Sequence, residues 1–148
     1  MKTKSTVSGQ SLVEFALTIP LILVVVLVFL DIGRAVYYYS ALNNAVREGT
    51  RYATVNRFSD GATRQVEVQQ IVVDFAVSVP VLASDVDVYC DQDFSKSNSN
   101  PCESYVTVSA QIEFEPVTFF LAQILGTGNS IEINAESTMQ MSPYGKYK

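Results

Sequence analysis

The sequence predicts an α+β fold, in which one long N-terminal helix starts in the membrane and packs on a small antiparallel sheet of about three strands. Two observations support this prediction. An apolar run from Phe15 to Leu30 contains one polar residue, Thr18. Later segments alternate polar with apolar residues, which is the period of half-buried strands. Because the apolar run is too long for a strand and shows no polar face, a membrane helix explains it better than a soluble core helix.

Size and charge limit the remaining possibilities. The chain has 148 residues and a formal net charge of −5, so one compact domain fits beside the helix. A nucleic-acid partner is not expected, because such proteins present a basic face. The chain has no histidine, the commonest general base and metal ligand, and no glycine-rich phosphate loop. We therefore expect no enzyme activity, no metal site and no cofactor.

The N-terminal helix is predicted over residues 10–57, with residues 12–30 embedded in the membrane. A cleaved secretory signal would end in small residues, whereas this run ends in the sequence DIGR at 31–34 and continues as a helix. Basic residues flank the span on both sides, so their distribution does not decide the orientation. Two cysteines beyond the helix, Cys90 and Cys102, favour an oxidising compartment and place the C-terminal side outside the cytoplasm.

Glu14 lies near one end of this span. A carboxylate carried to the centre of a membrane costs up to ~3 kcal/mol and usually marks function. Either Glu14 lies at the level of the lipid headgroups, where the cost is small, or it needs a cationic partner within the lipid or within an assembly.

The residues around Glu14 resemble the processing site of type IV prepilins. Gly9, Gln10, Glu14 and Phe15 stand in a pattern of basic leader, glycine, Glu-Phe and long apolar run. The resemblance implies that a membrane prepilin peptidase removes residues 1–9 as a leader and exposes a new amine on Gln10. It also implies that Glu14 of one subunit neutralises that amine on a neighbouring subunit.

The stretch 9–53 is similar to the TadE-like branch of pilin-like proteins, which belong to the tight-adherence (Tad or Flp) pilus system. The VEFAL start, Pro20, the DIGR exit and the A-x-x-x-G-x-R-x-A ending match that pattern. The resemblance implies a pilin-like fold and a structural role in adhesion or secretion. It implies four kinds of partner: inner-membrane lipid, prepilin peptidase, other pilin-like subunits and the pilus assembly machinery. Pro20 also removes a backbone hydrogen bond, so we expect a local kink.

A strip without bulky side chains continues along the helix at Ala41, Ala45, Gly49 and Ala53. In membranes such a strip allows helix backbones to approach closely. Because it lies beyond the apolar run, we expect it to dock on the protein's own sheet. Helix–helix packing in a filament is the alternative. The three tyrosines at 37–39 are placed for a membrane-interface belt.

The outer domain is predicted over residues 58–148, after a polar break at 56–61. A helix follows, because Val66, Gln70, Val73 and Val77 recur at helical spacing, and it should end near Pro80. A strand is the alternative for this valine-rich stretch.

The rest of the domain reads mainly as strands. Alternating segments predict strands at 85–89, 105–114 and 131–141. Residues 118–125 form either a short apolar helix or an interface segment, with Phe119, Phe120 and Leu121 in the core. The tail after 141 is predicted to be frayed.

Cys90 and Cys102 lie at the facing ends of two predicted strands, with eleven residues between them. Redox pairs usually have two intervening residues, and a zinc site would need further ligands nearby. We therefore predict a structural disulfide, which would stabilise the fold by about 3 kcal/mol. The neighbouring aspartates Asp85, Asp87, Asp91 and Asp93 are expected to be a solvated acidic edge, with calcium binding as the alternative.

Three functions are compatible with these features. The leading one is a minor pilin-like subunit of a Tad-type pilus or a related secretion filament. The second is the main subunit of a TadE-like filament, which would be a homopolymer. The third is an uncleaved, single-pass membrane-anchored binding module. In the leading interpretation the chain is a single-pass protein of the cytoplasmic membrane with its C-terminal domain outside, and it reaches the cell surface or filament after assembly.

Overall fold

The computed structural model describes residues 8–57, 61–91, 104–118, 123, 126, 130–141 and 146–147. Along the chain these form α1 (Ser8–Val55), β1 (Asn56–Arg57), α2 (Gly61–Phe75), a 3-10 turn (Ala83–Asp85), β2 (Val86–Asp91), β3 (Tyr105–Phe114), β4 (Ile131–Gln140) and β5 (Lys146–Tyr147). A long apolar helix followed by a small three-strand antiparallel sheet confirms the predicted α+β class.

The chain divides into two compact units. The first unit consists of Met1–Arg34 and Glu115–Ile131, and the second unit consists of Ala35–Phe114 and Glu132–Lys148. The long helix α1 contributes its first part to one unit and its remainder to the other.

In the first unit, α1 is long and apolar enough to cross a membrane. Of its most apolar 18-residue window, 6% is buried within the protein. Large apolar side chains are exposed all around this part of the helix, among them Leu12, Phe15, Leu17, Phe29 and Leu30. A helix that is apolar on every side and mostly uncovered is suited to lipid or to other apolar helices.

In the second unit, the sheet has the strand order β2–β3–β4. Strands β2 and β3 are antiparallel, with Val86 opposite Ala110 and Asp91 opposite Tyr105. Strand β3 occupies the residues predicted from its alternation, and its even-numbered residues are buried. The core is completed by apolar side chains from both helices and the sheet, of which the largest fully buried ones are Phe114, Leu42, Val46, Val68, Val72, Val86, Val106 and Val108.

Helix α2 differs from its prediction in length. It ends at Phe75 rather than near Pro80. Ser78 has a positive φ of 63°, and the residue before a proline avoids the helical conformation, so the chain leaves the helix before Pro80. The buried stripe is formed by Arg64, Val68 and Val72.

The C-terminal tail also differs from its prediction. Lys146 and Tyr147 form β5 and pair in parallel with Asn56 and Arg57 of β1, so this part of the tail is not frayed. Strand β1 directly follows α1, and its backbone groups obtain partners from this pairing.

The predicted apolar segment at 118–125 lies largely outside the described residues, including Phe119, Phe120 and Leu121. Its conformation stays a prediction.

Candidate functional site: the N-terminal helix and its contacts

Gly9 lies in the first turn of the described part of α1. A methyl group added at Gly9 would meet no atom within 4 Å. Gly9 has no positive φ, since among the described glycines that conformation occurs at Gly126. Glycine in a helix is less favourable than alanine by up to ~1 kcal/mol. Neither packing nor backbone geometry therefore explains a glycine at this position.

Glu14 presents a carboxylate on a helix surface made of exposed apolar side chains. The ion pairs found between described residues join Arg34 to Asp31 and Arg51 to Glu48, and neither involves Glu14. Arg34 is twenty positions further along α1, which corresponds to about 30 Å of helix rise. Within the described part of the chain, Glu14 thus has no cation close enough to compensate its charge.

Near Glu14 the helix backbone accepts one side-chain hydrogen bond and lacks one backbone hydrogen bond. The hydroxyl of Thr18 donates a hydrogen bond to the carbonyl of Glu14 at 2.7 Å. Pro20 lies inside the continuous helix and has no N–H to donate to the carbonyl four residues earlier. The kink predicted at Pro20 stays a prediction.

The small-residue strip lies in the second unit, where it packs within the same chain. Ala45, Gly49 and Ala53 are buried and Ala41 is half-buried. A methyl group added at Gly49 would come within 2.5 Å of Cγ2 of Val72. The structure therefore places helix α2 against Gly49, whereas the sequence led us to expect the sheet there.

Contacts on either side of Gly49 complete the attachment of α1 within the second unit. The Thr50 hydroxyl donates to the carbonyl of Ser137 in β4 at 3.3 Å, so the sheet is contacted by the next residue along. Tyr52 donates to Glu67 of α2 at 2.8 Å. Tyr38 packs edge-on against Phe114 of β3, with ring centroids 5.6 Å apart. These side chains bind α1 to its own domain.

Asp31 is the residue that sequence reasoning passed over. It is a carboxylate only 3% exposed, in the first unit. The backbone N–H groups of Val117 and Thr118 donate to its oxygens at 3.1 and 2.7 Å, and the Thr118 hydroxyl donates at 2.5 Å. Arg34 lies at 3.5 Å on the same helix. Asp31 thus ties the β3–β4 connection to α1, and its one sequence signal is a charge directly after the apolar run.

The outer face of the sheet carries a shallow acidic depression lined by polar side chains, including Asp85, Asp87, Tyr89 and Glu136. Burial raises the pKa of the Tyr89 hydroxyl, and the negative charge and hydrogen bond of Asp87 raise it further. Among the described residues, no group of three or more acidic, cysteine or histidine side chains is arranged to hold a metal ion. Asp93, which was part of the calcium alternative, lies outside the described residues.

Cys90 is buried in β2, and the guanidinium of Arg64 donates to its sulfur. Cys102 lies outside the described residues, so the pairing of these cysteines stays a prediction.

The comparison with known proteins found a match that lies within helix α1. Residues 9–51 match the family model described as TadE-like protein. No curated protein and no solved structure matches the chain significantly. The matched segment contains Gly9, Glu14 and Pro20 and ends within the packed half of α1. In its N-terminal helix the chain is therefore similar to TadE-like proteins, and the match extends over residues 9–51.

Proposed function

We propose that this chain is a minor pilin-like subunit of a Tad-type pilus or a related secretion filament, cut after Gly9 and assembled through α1. The observation that carries the proposal is Glu14, a carboxylate on an uncovered apolar helix with no ion-pair partner among the described residues. The TadE-like match, which associates the chain with Tad pili, supports the same conclusion.

Glu14 gives a physical reason for assembly in a defined register. Cleavage after Gly9 makes Gln10 the first residue and Glu14 the fifth. The α-amino group of Gln10 then carries a positive charge on a neighbouring subunit. Pairing the two charges removes a penalty of up to ~3 kcal/mol for a carboxylate in lipid. Since the pairing requires one axial offset between neighbouring helices, it selects the stagger.

Gly9 supports the proposed cleavage by a different argument. Its position needs no glycine for packing or for backbone conformation. A peptidase that must bind an extended backbone closely does benefit from a residue without a side chain. We therefore assign Gly9 and Gln10 to the processing site of a prepilin peptidase.

The proposal also fixes the partners and the location. Residues 12–30 would cross the cytoplasmic membrane, and the second unit would stand outside the cytoplasm. The exposed apolar half of α1 would leave lipid for contacts with other pilin-like subunits. The role would be structural rather than catalytic, with no bound cofactor.

The decisive experiment is the intact mass and N-terminal sequence of the protein recovered from its native cells. We expect a mature chain that begins at Gln10 and is present in sheared surface material. Replacing Gly9 with leucine should leave residues 1–9 attached, and the neighbouring variant Ser8→Ala should be processed normally. A wild-type chain that keeps residues 1–9 in the membrane would overturn the proposal in favour of an anchored binding module.

The same material distinguishes the two filament roles. A minor subunit should be a small fraction of sheared fibre protein. If the chain were instead the principal component of the fibres, it would be the main subunit of a homopolymer.

A further inference from the structure

Asp31 lies at the boundary of the apolar part of α1. The run that precedes it ends at Leu30, and residues 12–30 span about 28 Å at 1.5 Å per residue. This length is close to the ~30 Å hydrocarbon core of a bilayer. If α1 anchors the protein as proposed above, Asp31 is held where hydrocarbon meets the headgroups.

The start of the β3–β4 connection, at Val117 and Thr118, is hydrogen-bonded to α1 at this same level. Both N–H donors, from Val117 and Thr118, and the Thr118 hydroxyl reach the two oxygens of Asp31. The three bonds join residues 86 and 87 positions apart in sequence. All of these residues belong to the first unit. Val117 and Thr118 therefore lie beside α1 at the depth of Asp31.

The side chain of Val117 is exposed beside this attachment. It is 68% exposed, although valine is apolar. No acidic or basic residue occurs between Glu115 and Glu132, so the whole connection is uncharged. An exposed apolar side chain held at the membrane boundary, at the start of an uncharged connection, fits a phospholipid surface.

We propose that Val117, at the start of the β3–β4 connection, makes a second lipid contact, in which Asp31 holds it in the interface of the bilayer that α1 crosses. Asp31 acts as a positioning residue, because its hydrogen bonds set the depth of Val117 and Thr118. The inference rests on the proposed membrane anchoring of α1 and adds to it a contact formed by a different segment of the chain.

The absence of tryptophan from the sequence permits a direct test. Val117→Trp introduces one tryptophan whose emission reports its depth in lipid. The full-length protein is reconstituted into phosphatidylcholine vesicles with or without bromine on the acyl chains, since bromine quenches nearby indoles. Val66→Trp is the matched control, because Val66 is 65% exposed and lies on α2 beside the exposed Gln70.

We expect Val117→Trp to emit at shorter wavelength than Val66→Trp and to lose much of its intensity in brominated vesicles. Adding Asp31→Ala to Val117→Trp should reduce that quenching, because the attachment is lost. Adding Asp74→Ala, which removes an exposed carboxylate from α2, should leave it unchanged. Circular dichroism of each variant verifies folding, and Val117→Trp alone decides the question if the Asp31 variant does not fold.

Vesicle flotation separates the two possible failures. A protein that floats with vesicles while Val117→Trp is no more quenched than Val66→Trp would overturn the lipid contact and leave the anchor intact. A protein that does not float would overturn the anchor and the lipid contact with it.

Discussion

Glu14 is a single charge that we expect to matter in the filament more than in the membrane. Glutamine has nearly the same shape but no charge, so Glu14→Gln should enter the membrane at least as readily as the wild type. It would no longer neutralise the amine of Gln10 on a neighbour. We therefore expect membrane levels to be kept and the amount in sheared filaments to fall at least several-fold, as measured by immunoblot of the two fractions.

The matched control for this change is Glu48→Gln, which removes a carboxylate from the same helix beyond the apolar run. It should assemble normally, because a surface ion pair of this kind contributes 0–1 kcal/mol at most. Normal assembly of Glu14→Gln would show that its carboxylate does not set the register.

Individual residues were predictable from sequence only where the signal is local. Glu14 stands out because one charge interrupts an apolar run. Asp31 also follows that run, but its partners Val117 and Thr118 are more than eighty positions away, and no local pattern joins them. The role of Asp31 therefore emerged only from the folded chain.

At the scale of elements, the spacing of apolar residues indicates a helix more reliably than it indicates which face of the helix is buried. The spacing of Val66, Gln70, Val73 and Val77 predicted the helix, but Val66 is exposed, and Val77 is exposed and lies beyond the end of α2. The buried face passes through Arg64, whose guanidinium contacts the sulfur of Cys90. Because a charged residue is normally exposed, nothing in the local sequence indicates that Arg64 is buried.

The closeness of α1 and α2 depends on the missing side chain at Gly49. Gly49→Ala would bring a methyl group within 2.5 Å of Val72, so the helices must separate or the valine must shift. Overpacking of this kind costs about 1–3 kcal/mol. We expect the thermal unfolding midpoint of the detergent-solubilised protein to fall, as followed by circular dichroism.

Gly33→Ala provides the comparison on the same helix, because a methyl group there meets no atom within 4 Å. Alanine is the better helix former by up to ~1 kcal/mol, so this variant should be unchanged or slightly stabilised. Equal midpoints for the two variants would contradict tight packing at Gly49.

At the scale of the whole molecule, the fold class followed from sequence because alternation defines strands and one long apolar run defines the helix. Strand β3 was predicted to the residue. The pairing of β5 with β1 was not predicted. Each of these strands has only two residues, and the two strands lie far apart in sequence. Pairs this short and this distant leave no periodic signal.

The predicted disulfide concerns the whole molecule because it would fix the compartment in which the domain folds. We expect the native protein, alkylated without reductant, to show Cys90 and Cys102 joined in one peptide pair by mass spectrometry. Reduction should then destabilise the domain by about 3 kcal/mol. The Cys90→Ser/Cys102→Ser protein, as control, should be insensitive to reductant. Alkylation of both thiols before reduction would contradict the disulfide and weaken the argument for an oxidising compartment.

The distribution of buried side chains indicates that the two parts of this chain fold in different environments, one in water and one in lipid. Among the described residues, buried hydrophobic side chains begin at Leu42, whereas most of the large apolar side chains that precede it on α1 are exposed. Water therefore drives the folding of the second unit by the hydrophobic effect, whereas lipid or neighbouring helices must supply the environment of residues 12–30. Urea added to the detergent-solubilised protein then acts mainly on the second unit, and helical signal from the apolar run should outlast its unfolding.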